Sequence, residues 1–307
     1  MDKATAQLLL SQNKKTYNSI AQNFSQTRNK IWPELDFFIK NYIKDGSSIL
    51  DVGCGNGRLL GALRADGSPT STLEAELPFA YTGIDISEKL IDEASKQFSG
   101  KENKRGLYHS LVGVPCEGDS DGASSEQFLN FKHSPKFLIN DILNFKSENK
   151  FDAIFAIAVL NHIPSQKFRK LAVKNIFDLL KPNGRLLMTN WNLWNFSSPK
   201  SWWKLKYPAL LNGSIFSSHH RENIAEHTPQ SPRGDCGGAE EKLDFKDVIT
   251  YWGQEKLPLY YHAFAKREIK KLLEINGFEV IKNYYSLENQ EVSWRKAKNI
   301  VTVAQKN

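Results

Sequence analysis

Alternating glycines that follow an apolar run are the first feature able to do chemistry. In ILDVGCGNGRLL (residues 49–60), Gly53, Gly55 and Gly57 stand between a strand-like segment and the start of an amphipathic pattern. Glycine lets the backbone turn sharply and lets a ligand approach without meeting a Cβ atom. The helix that follows offers unpaired N–H groups at its start. The pattern predicts a ligand-binding turn, but glycines alone do not identify the ligand.

Acidic residues stand at the ends of three predicted strands. Asp51 follows SSIL, where it would repel a pyrophosphate but attract the ammonium of an amino acid. Asp85 ends FAYTGID, where a carboxylate can accept both ribose hydroxyl protons; capping the next helix is the structural alternative. Asp141 ends KFLIND, where it could hold an adenine amino group while Ile142 packs against the ring. Because open α/β sheets bind ligands at the carboxyl ends of their strands, these acids predict a nucleoside that carries a cationic amino acid.

The elements that must position these residues alternate along the chain. Amphipathic helical patterns in RLLGALRAD, SEKLIDEASKQF and SQKFRKLAVKNIFDLL separate short apolar runs. These runs occupy residues 47–50, 79–85, 136–141, 151–158 and 184–191. Apolar strands separated by helices predict a parallel sheet covered on both faces. The final helix, KREIKKLLEINGF, precedes two strand-like segments, FEVIKNYYSL and KAKNIVTVAQ, which predict a hairpin finish to the sheet.

Helical spacing at residues 4–23 and 33–44 precedes this alternation. It predicts an N-terminal helical cap over residues 1–45, with one further domain over residues 46–307. Three polar stretches interrupt that domain and are interpreted as excursions from it, because they are rich in turn-forming residues. The predicted insertions span residues 66–78, 99–135 and 192–258.

Composition limits the class of protein. The 307 residues include 41 Lys and Arg against 34 Asp and Glu, a net charge of +7 that permits a polyanionic partner without requiring one. No segment approaches the roughly 20 apolar residues of a membrane span. The first residues have too short an apolar stretch to predict a secretion signal. Three widely spaced cysteines without metal-like spacing predict a reducing, cytoplasmic setting and no metal site.

Four segments, ILDVGCGNG, YTGIDIS, LINDIL and FDAIFAIAVLNHI, resemble in order and spacing the motifs of class I S-adenosylmethionine-dependent methyltransferases. The resemblance covers about residues 47–191. It implies a Rossmann-like α/β fold with a seven-stranded, mostly parallel sheet, helices on both faces and an antiparallel final strand. It also implies S-adenosylmethionine as the cofactor, lying across the ends of the first strands. The candidate cofactor-binding residues are Asp51, Gly53, Cys54, Gly55, Asn56, Gly57, Asp85, Ile86, Asp141, Ile142 and Ala158.

The flanking segments are similar to the eukaryotic tRNA wobble-uridine carboxymethyl methyltransferases. YNSIAQNFSQTRNKIWPELDFFI (residues 17–39) resembles that family's N-terminal signature, and LYYHAFAKREIKKLL (residues 259–273) resembles its Tyr-Tyr-His segment. Asn161 and His162 stand where the family has paired histidines, and TNWNLWN (residues 189–195) departs from its usual fifth-strand ending. The resemblance implies methyl transfer to the carboxymethyl group of a modified wobble uridine in tRNA. It also makes a small activator subunit a candidate partner, which the sequence neither requires nor excludes.

The chemistry of the acceptor decides which side chains the reaction needs. A carboxylate acceptor has a pKa of about 4 and needs no general base, whereas an amine, phenol or enol acceptor needs one. His162 and His262 are the candidate bases, and packing or capping is the alternative role for both. Arg28 suits the carboxylate of the cofactor or the substrate because its fork can bind one bidentately. The candidate substrate-side residues are Tyr17, Trp32, Asn161, Trp191 and Tyr261.

The composition of residues 191–221 indicates which kinds of partner the protein could bind. This stretch contains four tryptophans, three lysines and one arginine but no acidic residue, a composition that suits stacking on unpaired bases and contact with phosphates. It agrees with tRNA, which the resemblance implies as the partner, rather than DNA or a membrane. Packing of these tryptophans in the core and on a surface helix, or an aromatic lid over a small substrate, fits the composition equally well. Two other functions stay open: methyl transfer to a small carboxylate, phenol or quinone precursor, and non-catalytic binding of nucleotide or RNA. Transfer of labelled methyl groups, and the ribonuclease sensitivity of the product, would separate them.

Overall fold

The computed structural model describes residues 1–28, 31–64, 78–98, 134–195, 243–252 and 255–307. The helices are α1 (Lys3–Thr27), α2 (Pro33–Tyr42), α3 (Arg58–Leu63), α4 (Glu88–Phe98), α5 (Gln166–Leu179) and α6 (Lys266–Glu274), with a 3-10 turn at Leu160–His162. The strands are β1 (Ser48–Val52), β2 (Ala80–Asp85), β3 (Lys136–Ile139), β4 (Phe151–Ile157), β5 (Leu180–Trp191), β6 (Asp247–Trp252), β7 (Leu257–His262), β8 (Phe278–Leu287), β9 (Gln290–Glu291) and β10 (Asn299–Lys306).

The main sheet has the strand order β3-β2-β1-β4-β5-β10-β8-β9. Strands β1 to β5 run parallel, and β10 runs antiparallel between β5 and β8. The predicted Rossmann-like fold with an antiparallel final strand is confirmed, with eight strands in place of seven. The extra strand is β9, which pairs with β8 through a two-residue turn at Glu288 and Asn289. Both turn residues have positive φ, 52° and 64°, as a tight hairpin turn requires.

Neighbouring side chains of the central strands pack on opposite faces of this sheet. Leu50 and Ile154 pack with α5 and α6 on one face, while Ile49 and Phe155 pack with α2, α3 and α4 on the other. Each fully buried side chain of this kind contributes about 1.5–3 kcal/mol. Because helices cover both faces, the carboxyl ends of β1, β2 and β4 are left as the edge where a ligand can enter.

Strand β5 begins earlier than the sequence pattern predicts. The pattern places a helix stop and a turn at residues 181–184, with the strand starting at Gly184. Helix α5 does stop at Leu179, but the ladder with β4 already begins at Leu180 and its register then shifts. Asn183 adopts a left-handed φ of 62°, so the predicted turn lies within the strand, where the register of the ladder shifts.

A separate antiparallel pair is formed by β6, which lies within the predicted third insertion, and β7, which begins at the end of that insertion. Its inner face contributes Val248, Leu259 and Tyr261 to a small apolar cluster, against which Tyr17 and Trp191 pack. The polar composition of residues 192–258 gave no signal for β6, because the hairpin packs against Tyr17 of α1 and Trp191 of β5, which are distant in sequence. The hairpin brings aromatic side chains to the ligand edge of the main sheet.

Helix α1 is fixed to this hairpin and to the start of α4. The Asn13 side chain accepts a hydrogen bond from the Tyr260 N–H at 2.9 Å, and the Thr16 hydroxyl donates to the Pro258 carbonyl at 2.7 Å. The Asn18 carbonyl oxygen accepts from the Ser87 hydroxyl at 2.7 Å. These bonds place α1 beside the ends of β1 and β2. A domain division at residue 45 stays a prediction.

Several predicted features lie wholly or largely outside the described residues. They are the insertions at residues 66–78 and 99–135, most of the aromatic and basic stretch at 191–221, Cys116 and Cys236. Within the described ranges, no helix has the length and apolar character needed to cross a membrane. The same ranges contain no group of three or more His, Cys, Asp or Glu side chains that could hold a metal ion.

Candidate active site

A cleft lies at the carboxyl ends of the first strands and is bounded on its other side by α1 and the β6–β7 hairpin. Of the predicted site residues, Gly57, Asn161 and His262 do not line it. Those that do are Tyr17, Arg28, Trp32, Asp51, Gly53, Cys54, Gly55, Asn56, Asp85, Ile86, Asp141, Ile142, Ala158, His162, Trp191 and Tyr261. The fold therefore brings together residues predicted from segments far apart in sequence.

The glycine turn joins β1 to α3 in left-handed backbone conformations. Gly53 has a φ of 67°, and a Cβ atom there would lie 2.7 Å from Cγ2 of Val159. Gly57 has a φ of 78°, and its Cβ would lie 2.7 Å from Cε2 of Phe98. Gly53 therefore allows the turn to approach Val159 in the cleft wall, whereas Gly57 allows α3 and α4 to pack closely. Burial raises the pKa of the Cys54 thiol well above its ordinary value, which fits a small neutral packing residue rather than a nucleophile.

Asp85 connects the glycine turn to the end of β2. Its Oδ2 accepts a hydrogen bond from the Gly55 N–H at 2.9 Å, and its Oδ1 accepts one from the Ser87 N–H at 2.8 Å. Burial raises its pKa to about 6, although these N–H groups act to lower it. The capping role and a ligand role are compatible, because each carboxylate oxygen has a second lone pair for a ribose hydroxyl.

Two further carboxylates lie beside Asp85 at the strand ends. Burial raises the pKa of Asp51 to about 7, despite the opposing effects of a hydrogen bond from Tyr81 and the charge of Arg58. The Tyr81 hydroxyl donates to Oδ2 of Asp51 at 2.8 Å. Burial also raises the pKa of Asp141, whose Oδ1 accepts the Leu143 N–H at 2.9 Å. A cationic ligand group would favour the ionised form of such buried acids.

Tyr17 and His162 form a hydrogen-bonded pair on the opposite wall. The Tyr17 hydroxyl lies 2.9 Å from Nε2 of His162, and Nδ1 of His162 lies 3.1 Å from the Tyr260 carbonyl oxygen. Because a carbonyl oxygen only accepts, Nδ1 carries a proton, and in the neutral imidazole Nε2 accepts from Tyr17. Burial, reinforced by nearby Tyr261 and Asp85, raises the pKa of Tyr17, so its hydroxyl remains a donor.

Arg28 ends α1 at the mouth of the cleft. Its guanidinium carbon lies 5.3 Å from the centre of the Phe24 ring and 5.6 Å from that of Trp252. Both rings also line the cleft. The residue is partly buried, and its charge lowers the pKa of Tyr17 and Tyr261 in part. This arrangement stacks a cation on two aromatic rings of the cleft.

His262 lies behind the cleft wall, in a buried polar cluster. Its Nδ1 lies 2.6 Å from Oδ1 of Asp247, and its Nε2 lies 2.9 Å from Oε1 of Glu268. Although burial alone raises it, hydrogen bonds from His262 and Lys246 lower the pKa of Glu268 to about 2. Both ring nitrogens thus face carboxylates, and the histidine joins β7 to β6 and α6. His262 does not line the cleft, so its ring has no direct contact with a ligand bound there.

Asn161 is also turned away from the cleft and holds backbone groups. Its Oδ1 accepts the Trp191 N–H at 2.8 Å, and its Nδ2 donates to the His262 carbonyl at 2.8 Å. The amide thereby ties the end of β5 to β7. Trp191 in turn meets the Trp32 ring edge-on, with centroids 5.8 Å apart. Asn161 therefore acts on the aromatic wall through the backbone.

Some residues of the cleft were missed by the sequence reasoning. Phe24, Arg58, Asn140, Val159 and Trp252 all line it. Arg58 had an available signal, because it directly follows the last glycine of the turn. Trp252 had none, since the strand that carries it reaches the cleft only through the β6–β7 pairing.

A comparison with protein families decides which of the candidate classes applies. The profile of a methyltransferase domain family matches residues 24–283, which is more than half of the chain. The chain belongs to this methyltransferase family. The match includes the glycine turn, all three strand-end acids and the β6–β7 hairpin, so the recognised class I S-adenosylmethionine-dependent methyltransferase pattern is confirmed.

Curated relatives of the methyltransferase carry a common name. A tRNA (carboxymethyluridine(34)-5-O)-methyltransferase of Arabidopsis thaliana is 29% identical over 178 residues, 58% of this chain and 32% of that protein. The protein of that name from Saccharomyces cerevisiae is 30% identical over 61% of this chain and 50% of its own length. The chain thus spans a third to a half of these two relatives. The Schizosaccharomyces pombe protein of the same name is 24% identical over 89% of this chain and 91% of its own.

Solved structures show the same fold at low sequence identity. An S-adenosylmethionine-dependent methyltransferase from Clostridium acetobutylicum has a TM-score of 0.52 and 15% identity, covering 95% of this chain and 99% of its own. The 1,6-didemethyltoxoflavin-N1-methyltransferase of Burkholderia thailandensis has a TM-score of 0.50 and 11% identity, covering 97% and 88%. That structure contains bound 1,6-didemethyltoxoflavin and S-adenosylhomocysteine.

The described residues of the methyltransferase fit S-adenosylmethionine as the cofactor. Asp51 matches an ammonium, Asp85 matches a pair of ribose hydroxyls, and Asp141 beside buried Ile142 matches an adenine edge and face. The missing Cβ of Gly53 lets the turn pack against Val159, a residue of the cleft wall. When bound, this cofactor supplies an activated methyl group on sulfur, and the protein's residues hold and orient it.

The affinity of the methyltransferase for its cofactor is expected to fall as the pH falls. The pKa of Asp51 is raised to about 7, and a bound ammonium would lower it, so binding favours the deprotonated form. As the pH falls through 7, the free protein protonates and this attraction is lost. We expect S-adenosylhomocysteine binding to weaken about tenfold between pH 8 and pH 6, measured by titration calorimetry.

The variant Asp51→Asn is the control for this pH dependence. It should bind S-adenosylhomocysteine more weakly at every pH, with a shallower dependence, because no titrating charge remains at that position. An equally steep dependence in Asp51→Asn, or a flat one in the wild type, would contradict the role assigned to Asp51.

Proposed function

We propose that the methyltransferase transfers the methyl group of S-adenosylmethionine to the carboxylate of a carboxymethylated wobble uridine in tRNA, giving the methyl ester. The names of the Arabidopsis, budding-yeast and fission-yeast relatives support this acceptor. Support also comes from the similarity of residues 17–39 and 259–273 to that family.

The observation that carries the proposal is a cation without a carboxylate partner at the cleft. Among the described residues, no carboxylate lies within ion-pair distance of Arg28, whose guanidinium stacks over Phe24 and Trp252. A guanidinium fork can hold a carboxylate by two parallel hydrogen bonds. Aromatic side chains beside it suit the stacking of an unpaired base. The acceptor of this proposal carries both groups.

A carboxylate acceptor agrees with the state of the Tyr17–His162 pair. A carboxylic acid with a pKa of about 4 is already ionised at neutral pH, so the attacking oxygen needs no base. Nε2 of His162 is hydrogen-bonded to the Tyr17 hydroxyl at 2.9 Å. In this reaction His162 therefore forms part of the cleft wall and does not act as a base. The acceptor oxygen forms a bond to the methyl carbon as the carbon–sulfur bond breaks. The electron pair of the broken carbon–sulfur bond stays on sulfur. The ester and a neutral thioether result, and the protein's task is alignment.

Methylation of defined tRNA tests the proposal. The protein, labelled S-adenosylmethionine and tRNA that carries 5-carboxymethyluridine at the wobble position should yield a ribonuclease-sensitive, labelled methyl ester, identified by nucleoside mass spectrometry. The matched control is the same tRNA with a carbamoylmethyl group, which keeps the shape but removes the nucleophilic carboxylate.

The assay also distinguishes the other functions. Label that appears only in a ribonuclease-resistant small molecule would replace the tRNA acceptor with a metabolite. An unchanged wobble-nucleoside profile in cells that lack the protein would likewise contradict the proposal. Absence of any labelled product despite cofactor binding would favour a non-catalytic protein.

A further inference from the structure

A second arginine in the cleft, Arg58, has a buried hydrogen-bond donor without an acceptor. Its Nη1 atom is shielded from solvent and finds no hydrogen-bond partner in the part of the chain that the structure describes. Its guanidinium carbon lies 4.5 Å from the centre of the Trp32 ring, which is held edge-on by Trp191. An unsatisfied buried donor on a charged group is costly. A ligand anion would satisfy it.

The charges near Arg58 indicate which anion this is. Burial and the like charge of Arg28 lower the pKa of Arg58 to about 10, and the charge of Asp51 opposes this. Asp51 lies in β1 and Arg58 begins α3, so they flank the glycine turn. An α-amino acid carries an ammonium and a carboxylate on one carbon. A carboxylate and a guanidinium on the two sides of one turn match both of its charges.

We propose that Arg58 binds the carboxylate of the methionyl part of the cofactor, opposite Asp51, and that Trp32 positions the Arg58 guanidinium. The inference rests on the proposed transfer from S-adenosylmethionine and adds a residue to that binding site. It separates the two arginines by role. Arg28 stacks over Trp252, and its charge lowers the pKa of Tyr261 in part. It remains available to bind the carboxylate of the acceptor.

Two ligands isolate this contact from the rest of the site. S-adenosylhomocysteine has the amino-acid group, and 5′-methylthioadenosine has the same nucleoside and sulfur without it. Arg58→Met is expected to weaken S-adenosylhomocysteine binding about 10- to 100-fold, the range for a lost charge-assisted hydrogen bond. Its affinity for 5′-methylthioadenosine should change by less than about twofold. Arg58→Lys keeps the charge but not the fork, so an intermediate loss is expected.

Arg64→Met is the matched control. Arg64 follows the same helix, lies 5.1 Å from the centre of an aromatic ring, that of Phe98, and does not line the cleft. Its variant should bind both ligands as the wild type does. Thermal unfolding checks each variant, and Arg58→Lys carries the test if Arg58→Met does not fold.

The outcomes distinguish this inference from the proposed function. If folded Arg58 variants keep the wild-type ratio of the two affinities, the role of Arg58 is overturned while cofactor binding stands. If the wild-type protein binds neither ligand, the proposed function fails and the inference fails with it.

Discussion

Replacing Asp85 with alanine is expected to weaken cofactor binding by at least about 100-fold. Its carboxylate holds the Gly55 and Ser87 N–H groups at 2.9 and 2.8 Å, and it is the described group best placed to accept the ribose hydroxyls. Loss of two or more charge-assisted hydrogen bonds, each of about 1.5–3 kcal/mol, accounts for that factor. Titration calorimetry with S-adenosylhomocysteine measures it directly.

Two comparisons separate the ribose contact from support of the turn. Asp85→Asn keeps one acceptor oxygen for the backbone but cannot accept from two hydroxyls as a carboxylate does. Removing both ribose hydroxyls from the ligand should therefore weaken wild-type binding far more than Asp85→Asn binding. Asp178→Ala is the control, because Asp178 lies exposed on α5 and pairs with Lys174 at 2.9 Å. Wild-type affinity in folded Asp85→Ala would refute the assignment.

Replacing Arg28 with methionine is expected to reduce kcat/KM for carboxymethylated tRNA about 100-fold while cofactor affinity stays within about twofold. Methionine keeps much of the apolar stem that packs near Phe24 and Trp252 but removes the fork that would orient the acceptor carboxylate. Loss of a bidentate charged contact costs about 2–3 kcal/mol, which gives that factor. Initial-rate kinetics with the defined tRNA, together with calorimetry, measure both quantities.

Arg295→Met provides the control for Arg28. Arg295 is exposed and lies over a tryptophan ring, Trp294, at 5.2 Å, but it does not line the cleft. Its kcat/KM should equal that of the wild type. Arg28→Lys should recover part of the activity, since it restores the charge without the fork. If Arg28→Met instead loses cofactor affinity and keeps its kcat/KM at saturating cofactor, Arg28 binds the cofactor carboxylate.

The three strand-end acids could be predicted because their positions depend on local pattern. A buried parallel strand is a short apolar run, and the carboxyl ends of such strands meet at one edge of the sheet. Asp51, Asp85 and Asp141 were therefore placed together by order alone, and all three line the cleft. The glycine turn is equally local, since its positive φ angles at Gly53 and Gly55 depend on the residues themselves.

The roles of the histidines could not be predicted in the same way. His162 lies in the 3-10 turn that follows β4, and His262 is the last residue of β7. His162 is hydrogen-bonded to Tyr17 on the cleft wall, and His262 is enclosed by Asp247 and Glu268. Which carboxylates or hydroxyls surround an imidazole depends on how β6, β7 and α6 pack, and no local pattern records that.

The sequence by itself determined the order of β1 to β5, β8 and β10, the glycine turn and the three acids that line the cleft, because periodicity and glycine conformation are properties of short segments. Only the tertiary structure decided the rest of the site. It placed Arg58 over Trp32 with a buried, unsatisfied donor, brought Trp252 of β6 beside Arg28, and turned His262 away from the cleft. These outcomes depend on burial and on contacts between residues far apart in the chain, and such contacts exist only once the sheet, α1 and the hairpin have packed together.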